Sequence, residues 1–297
     1  MSVVHRRLLR YVYRKECIPA RLRWWLAARG MRDWLRIVTK ELGPHLGSES
    51  RLIMATLAAR CFERRYQVLR ESLGHLPTVD DEPRAAALVM SGLYRIHAAS
   101  PGAWILDGLG GAAATRHERR EARRLIAPLS TEDRWREVTV HLGEWLIVLT
   151  EELPERLPRA RQIVADICFR MGVRYGETMR EMFALSGDEN QPALAIEVLR
   201  MSEYIFRVNP KHWGESDEEA GWLEGNACPW FDRPGWQQVH CGIFGQFQSG
   251  ISSVFGLNYK LTKTIPKHGG DTCRIDLKPL RIRRDKHGPA AGTQPVP

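Results

Sequence analysis

The stretch from Gly225 to Cys241, "GNACPWFDRPGWQQVHC", sets two cysteines with twelve residues between them, Trp230 behind the first and His240 just before the second. Farther on, "HGGDTCRIDL" brings Cys273 behind the turn His268-Gly269-Gly270-Asp271. A thiol becomes a nucleophile when an imidazolium or a helix N-terminus lowers its pKa. Cys228 and Cys241 both fall near the start of one predicted helix, so either fits that role. His240 or His268 would move protons, as an imidazole titrating near neutrality does. Asp271 would fix its turn or orient an imidazole. His240 adjoins Cys241 in sequence but points about 100° away around a helix, so only the tertiary fold can make it that cysteine's base.

Two other readings compete for the same thiols. A zinc cage takes about four ligands and usually contains one short cysteine pair. The spacings here leave twelve and thirty-one residues between successive cysteines, so a site of three thiolates closed by His240 or His268 would depend wholly on the fold. The expectation is no metal. The remaining possibility is packing, since cysteine buries as a small hydrophobe. Cys17, Cys61 and Cys168, each on a predicted helix, read as core.

The surroundings suit a ligand. Trp213, Trp222, Trp230 and Trp236 crowd one short stretch and either line an aromatic pocket for a planar or cationic molecule or pack a core. Gln246 and Gln248 follow Cys241 and can hydrogen-bond a substrate, but they cannot serve as bases.

These residues must be held by the elements around them. The first two-thirds of the chain reads as helices: "GSESRLIMATLAARCFERRYQVLRESLG" with Ser48 as N-cap, "STEDRWREVTVHLGEWLIVLTEEL" with Ser130 and Asp133 as a capping pair, and "RARQIVADICFRMGVRYGETMREMFAL". Near Met201 the period changes. "SEYIFRV", "EAGWLEGN", "GLNYKLTKTI" and "TCRIDLKPL" read as strands, and "PGWQQVHCGIFGQFQSGISSVFG" as a helix from Pro234 to Gly256. The expected fold class is therefore α+β, a large helical layer followed by a small antiparallel sheet with one packed helix. The expected organisation is a helical region over 1–128, a helical plus α+β unit over 129–280, and a disordered tail over 281–297. Gly108, Gly110 and Ala113 resemble a phosphate-cradling turn, but with so short a strand before them and no βαβ unit after them they read as a loop before a basic, solvated helix.

From about Glu203 to Leu280 the order of strand, "CPW", cysteine-bearing helix, strand, "GGDTC" and strand resembles the L-2-amino-thiazoline-4-carboxylate hydrolase family. Cys228-Pro229, Cys241 and Gly270-Asp271-Thr272-Cys273 carry the likeness. The same region is similar to the small-ligand-binding domains related to bacteriochlorophyll 4-vinyl reductase. The resemblance implies a cysteine-dependent hydrolase acting on a C–N or C–S bond of a small amino-acid-derived or heterocyclic metabolite. The alternative is a ligand-binding or regulatory module without catalysis. One feature departs from the hydrolase pattern: "GIFGQFQSG" follows Cys241, with no acidic residue where that family is expected to have one.

Charge points in a different direction. The formal net charge is +9, yet Met1–Lys40 carries eleven Lys and Arg against Glu16 and Asp33, and Lys278–Pro297 carries five against Asp285, which leaves the residues between at −4. Basic ends of this kind suit a nucleic acid, an acidic partner or a membrane surface. The recurrence of apolar residues within "RLRWWLAARGMRDWLR" favours a basic amphipathic helix against the body, so a small-molecule substrate is the expected partner and nucleic acid is not. A homo-oligomer stays open. No apolar run reaches the roughly 20 residues of a membrane span, and the first residues lack a leader's apolar core; the expected compartment is the cytoplasm, with reduced thiols.

Overall fold

The computed structural model describes residues 3–73, 82–96, 115–183, 190–206, 212–226 and 228–280. The expected α+β architecture is present. Helices α1 (Val3–Arg14), α2 (Ala20–Leu46), α3 (Ser50–Leu73), α4 (Glu82–Tyr94), α5 (Arg116–Leu125), α6 (Thr131–Glu151), α7 (Ala160–Phe183) and α8 (Gln191–Tyr204) precede the strands β1 (His212–Ser216) and β2 (Gly221–Gly225). Then follow α9 (Gln238–Val254), β3 (Leu257–Lys263), the single turn α10 (Ile265–His268) and β4 (Cys273–Pro279). No helix among the described residues is long and apolar enough to cross a membrane.

α6 is the central post. It starts where the Ser130 hydroxyl accepts the Asp133 backbone N–H at 3.1 Å, as the capping pair required. Trp135, Val138, Trp145, Leu146 and Leu149 are all buried along it. α2 lies against α6 and buries Trp24, Met31, Leu35 and Leu42 in the same core, which runs on through Phe62 of α3 to Trp230 and Ile243. Residues on both sides of position 128 thus share one core.

α7 and α9 make the closest helix pair. A Cβ at Gly172 would lie 1.9 Å from the Phe247 carbonyl oxygen, and one at Gly250 would lie 2.1 Å from that of Phe169. The two backbones therefore touch, and only glycine permits it. This contact fixes α9, whose opposite flank faces the sheet.

The sheet order is β1-β2-β4-β3, antiparallel throughout. Leu223 of β2 and Leu261 of β3 both pair with Ile275 of β4, so three aliphatic side chains form one row on one face. The strand period of two puts their neighbours Trp222 and Arg274 on the other face, where the Arg274 guanidinium stacks 4.4 Å from the Trp222 ring centroid.

Several sequence expectations change, and Cys17, read as core, is exposed between α1 and α2. "SEYIFRV" is not a strand: Ser202, Glu203 and Tyr204 close α8, which Asn190 starts by accepting the Ala193 N–H at 2.8 Å, and the first strand is His212–Ser216 instead. The short apolar run followed a helical period that its sequence context concealed. α9 begins at Gln238 rather than near Pro234, because Trp230–Trp236 forms turns first. Ser48 sits in a 3-10 turn between α2 and α3 and caps neither. The Gly108, Gly110 and Ala113 loop and the tail over 281–297 lie outside the described residues.

Candidate functional site

A cavity of about 420 Å³ lies between the helical layer and the sheet. The row Leu223, Ile275 and Leu261 forms its floor, and α2 contributes Met31 and Trp34 to the opposite wall. Phe244 and Phe247 project from α9, while Trp230 and Trp236 come from the turns before it. Most of the wall is apolar, the usual lining of a small-molecule pocket.

Trp230 has an exact seat. Its indole N–H donates to the Thr139 carbonyl at 3.0 Å, and its ring lies so close to Gly143 that a Cβ there would fall 2.4 Å from Cδ1. Trp236 stands 5.2 Å from it, ring centroid to centroid, and Phe244 meets it edge-on at 5.0 Å. The Trp236 indole nitrogen is buried and has no hydrogen-bond partner, and it lies close enough to Cys241 to favour that thiolate.

Cys228, Cys241 and Cys273 all open on this cavity, as free thiols. Burial pushes Cys228 up to about 12, although the backbone N–H groups of Trp230 and Phe231 oppose it. Burial likewise pushes Cys241 up to about 11, against the pull of Trp236, and raises Cys273, whose sulfur accepts the Ile265 N–H at 3.4 Å. The three are close enough that a thiolate on Cys273 disfavours charge on the other two. All are thiols near neutral pH.

One polar row interrupts the apolar wall. Tyr259 donates to Gln248 Oε1 at 2.5 Å, and Gln248 Nε2 donates in turn to Glu203 Oε1. Burial first, then the Glu203 charge, holds Tyr259 well above its ordinary pKa, so it remains a donor. Asp33, at the cavity edge, also pairs with Arg36 at 3.4 Å and Arg29 at 3.7 Å.

Of the residues named from sequence, the structure brings Cys228, Cys241, Cys273, Trp230, Trp236 and Gln248 to one cavity, and Cys168, read as core, also lines it. It places the others elsewhere. His240 is buried in the first turn of α9, against α6: its Nδ1 accepts the Gln237 N–H at 2.9 Å and its Nε2 meets the Thr150 hydroxyl at 2.9 Å. Burial lowers its pKa, so the ring is a neutral cap and structural bridge. His268 is exposed and accepts the Thr264 N–H through Nδ1 at 3.0 Å. Asp271 is exposed on its turn, Gln246 lies on the solvent side of α9, and Trp222 lies on the far face of the sheet. No group of three or more His, Cys, Asp and Glu among the described residues is placed to hold a metal ion.

Sequence reasoning missed Glu203 and Tyr259. Glu203 was hidden by the strand reading of "SEYIFRV". Tyr259 was legible, because it shares its strand face with Leu261. No protein-family model, no curated protein and no solved structure matches the chain.

Proposed function

We propose that the protein binds a small, largely apolar ligand that carries a cationic or N–H-donating nitrogen at one end. The observation behind this is the chemistry of the cavity wall. Its charged members are the carboxylates of Glu203 and Asp33, and no Lys, Arg or His stands among the described residues that line it. The rest is aromatic, aliphatic or thiol. A carboxylate in a mostly apolar wall favours a donor or cation from the ligand, and indole faces favour the same charge. The raised thiol pKa values support non-covalent binding, with the cysteines as polarizable wall.

The resemblance to the aminothiazoline-carboxylate hydrolases supports a second reading, hydrolysis of a C–N or C–S bond. Cys241 favours it by position: it faces the cavity from the first turn of α9, where helix N–H groups stabilise a thiolate.

Two aromatic probes of matched size test the first reading, naphthylmethylamine and naphthoate, titrated against tryptophan fluorescence. The amine is expected to saturate and the carboxylate not to, and Glu203→Gln is expected to remove the preference. Equal affinity for both probes, or preference for the carboxylate, would refute it.

A further inference from the structure

A second concavity shares no lining residue with the sheet cavity. α2, the end of α4, α5 and the start of α6 enclose a groove of about 910 Å³. Six guanidinium groups line it: Arg21, Arg32, Arg95, Arg119, Arg123 and Arg134. None of the described lining residues is acidic. Of the carboxylates near it in sequence, Glu118 caps α5 through the Thr115 N–H at 2.9 Å, Glu132 pairs with Arg136 at 3.5 Å, and Asp133 accepts the Ser130 hydroxyl at 2.6 Å.

Several of the arginines are held rather than loosely solvated. Arg32 Nη1 donates to the carbonyls of Tyr94 and Arg95 at 2.7 and 2.9 Å, and Arg134 donates to those of Ile126 and Ala127 at 3.1 and 3.2 Å. The Arg95 and Arg134 guanidiniums stand 5.2 and 5.3 Å from the ring of Trp24, whose indole N–H is fixed by the Leu93 carbonyl at 2.9 Å. Arg95 also occupies a position that normally belongs to glycine. It ends α4 at φ 55°, with the Ile96 N–H on the Ser91 carbonyl at 2.9 Å and its own N–H on that of Gly92 at 3.3 Å. A left-handed helix stop of this kind favours glycine, and an arginine there carries strain of about 1 kcal/mol or more. The turn places the Arg95 side chain at the groove. Burial first, then Arg21 and Arg123, lowers the Arg95 pKa, and burial followed by Arg95 and Arg29 lowers that of Arg32 against the pull of Asp33. A bound anion would relieve this mutual repulsion.

We propose that this groove binds a small ligand bearing clustered phosphates, as a nucleoside polyphosphate or an inorganic polyphosphate does. Guanidinium is the side chain best shaped for bidentate phosphate contacts. Single-stranded nucleic acid brings only one charge per nucleotide, roughly 3.4 Å or more apart along the strand. Six convergent cations match a denser charge than that. Trp25, half-buried in the groove, offers a ring on which a base can stack. The site is separate from the sheet cavity and does not depend on how that cavity is used.

The test is calorimetric titration of the full chain, at an ionic strength of about 0.15 M, with tripolyphosphate, ATP, orthophosphate and a single-stranded oligonucleotide of about 15 nucleotides. Tripolyphosphate and ATP are expected to bind with defined stoichiometry and more tightly than orthophosphate or the oligonucleotide. A tighter grip on ATP that Trp25→Ala abolishes identifies a nucleotide; equal affinity identifies the phosphates alone, and both support the site. Arg21→Glu and Arg123→Glu, at exposed positions, are expected to weaken tripolyphosphate by about tenfold or more. Arg156→Glu makes the same charge change beyond the other end of α6, a helix about 30 Å long, and is expected to change affinity by less than about twofold. The absence of tripolyphosphate binding, tighter binding of the oligonucleotide, or an equal loss in Arg156→Glu would overturn the proposal.

Discussion

Tyr259 donates its hydroxyl proton to Gln248 Oε1 at 2.5 Å, joining the sheet to α9 inside the cavity. Gln248 passes the polarity on to Glu203, so one hydrogen-bonded row crosses a wall that is otherwise apolar. Tyr259→Phe leaves the Gln248 carbonyl oxygen without this donor. It is expected to lower stability by about 1–3 kcal/mol in urea denaturation and to weaken binding of naphthylmethylamine.

Thiol reactivity follows from burial. Cys228 at about 12 and Cys241 at about 11 stand above the ordinary thiol value of 9.0. Alkylation of both by iodoacetamide is expected to be slow near neutral pH and to rise about tenfold per pH unit up to their raised pKa values, read by peptide mapping. Their folded-state pKa is raised, so the stability they contribute is full below pH 9.0 and is lost as pH climbs toward 11 and 12. Denaturation midpoints should fall across that window, and less so in a Cys228→Ser, Cys241→Ser protein.

The contact between α7 and α9 leaves no room for a methyl group. Gly172→Ala is expected to destabilise by about 1–3 kcal/mol or more, because backbone must move. Gly242→Ala, on the same α9 with nothing within 4 Å of a new Cβ, should instead gain about 0.5–1 kcal/mol. Thermal unfolding of the two variants makes the comparison.

α1 docks through Glu197. Burial raises the pKa of that carboxyl, but hydrogen bonds from Arg10 and Arg14 outweigh it and hold the value below the ordinary carboxylate range. Arg10 Nη2 reaches Glu197 at 2.8 Å and Arg14 Nε at 2.5 Å. Stability from a depressed carboxyl is present above its unfolded pKa and is lost as pH falls through the folded one. Amide-exchange protection over Val3–Arg14, relative to the intrinsic rate at each pH, should therefore fall at acid pH, and Glu197→Gln should show the lower protection already at neutral pH. Tyr13 of α1 lines the cavity, so the same variant is expected to weaken amine binding.

The helices named from sequence and three of the four strands were legible because their apolar periods are long and their ends are marked, as at Ser130 and Gly256. The meeting of Cys228, Cys241 and Cys273 was readable only as a possibility, since residues so far apart in sequence meet through strand pairing such as Gly225 with Cys273. Glu203 was lost because a helix end and a short strand look alike over seven residues. His240 was misjudged for another reason: an imidazole beside a cysteine suggests chemistry, and here it caps the helix on which that cysteine sits. The arginine groove gathers residues from four helices, and no local pattern announces it.

The central question is whether Cys228, Cys241 and Cys273 react or only line the wall. The most direct measurement is the dissociation constant of naphthylmethylamine for the unaltered protein and for the folded Cys228→Ser, Cys241→Ser, Cys273→Ser variant, with alkylation of the unaltered protein by iodoacetamide near neutral pH followed in parallel by intact mass and peptide mapping. Affinities within about threefold of one another, and slow alkylation of all three thiols, are expected for thiols that serve as wall. Loss of binding in the variant together with fast alkylation of one of these cysteines would contradict the binding reading and make that thiol a nucleophile.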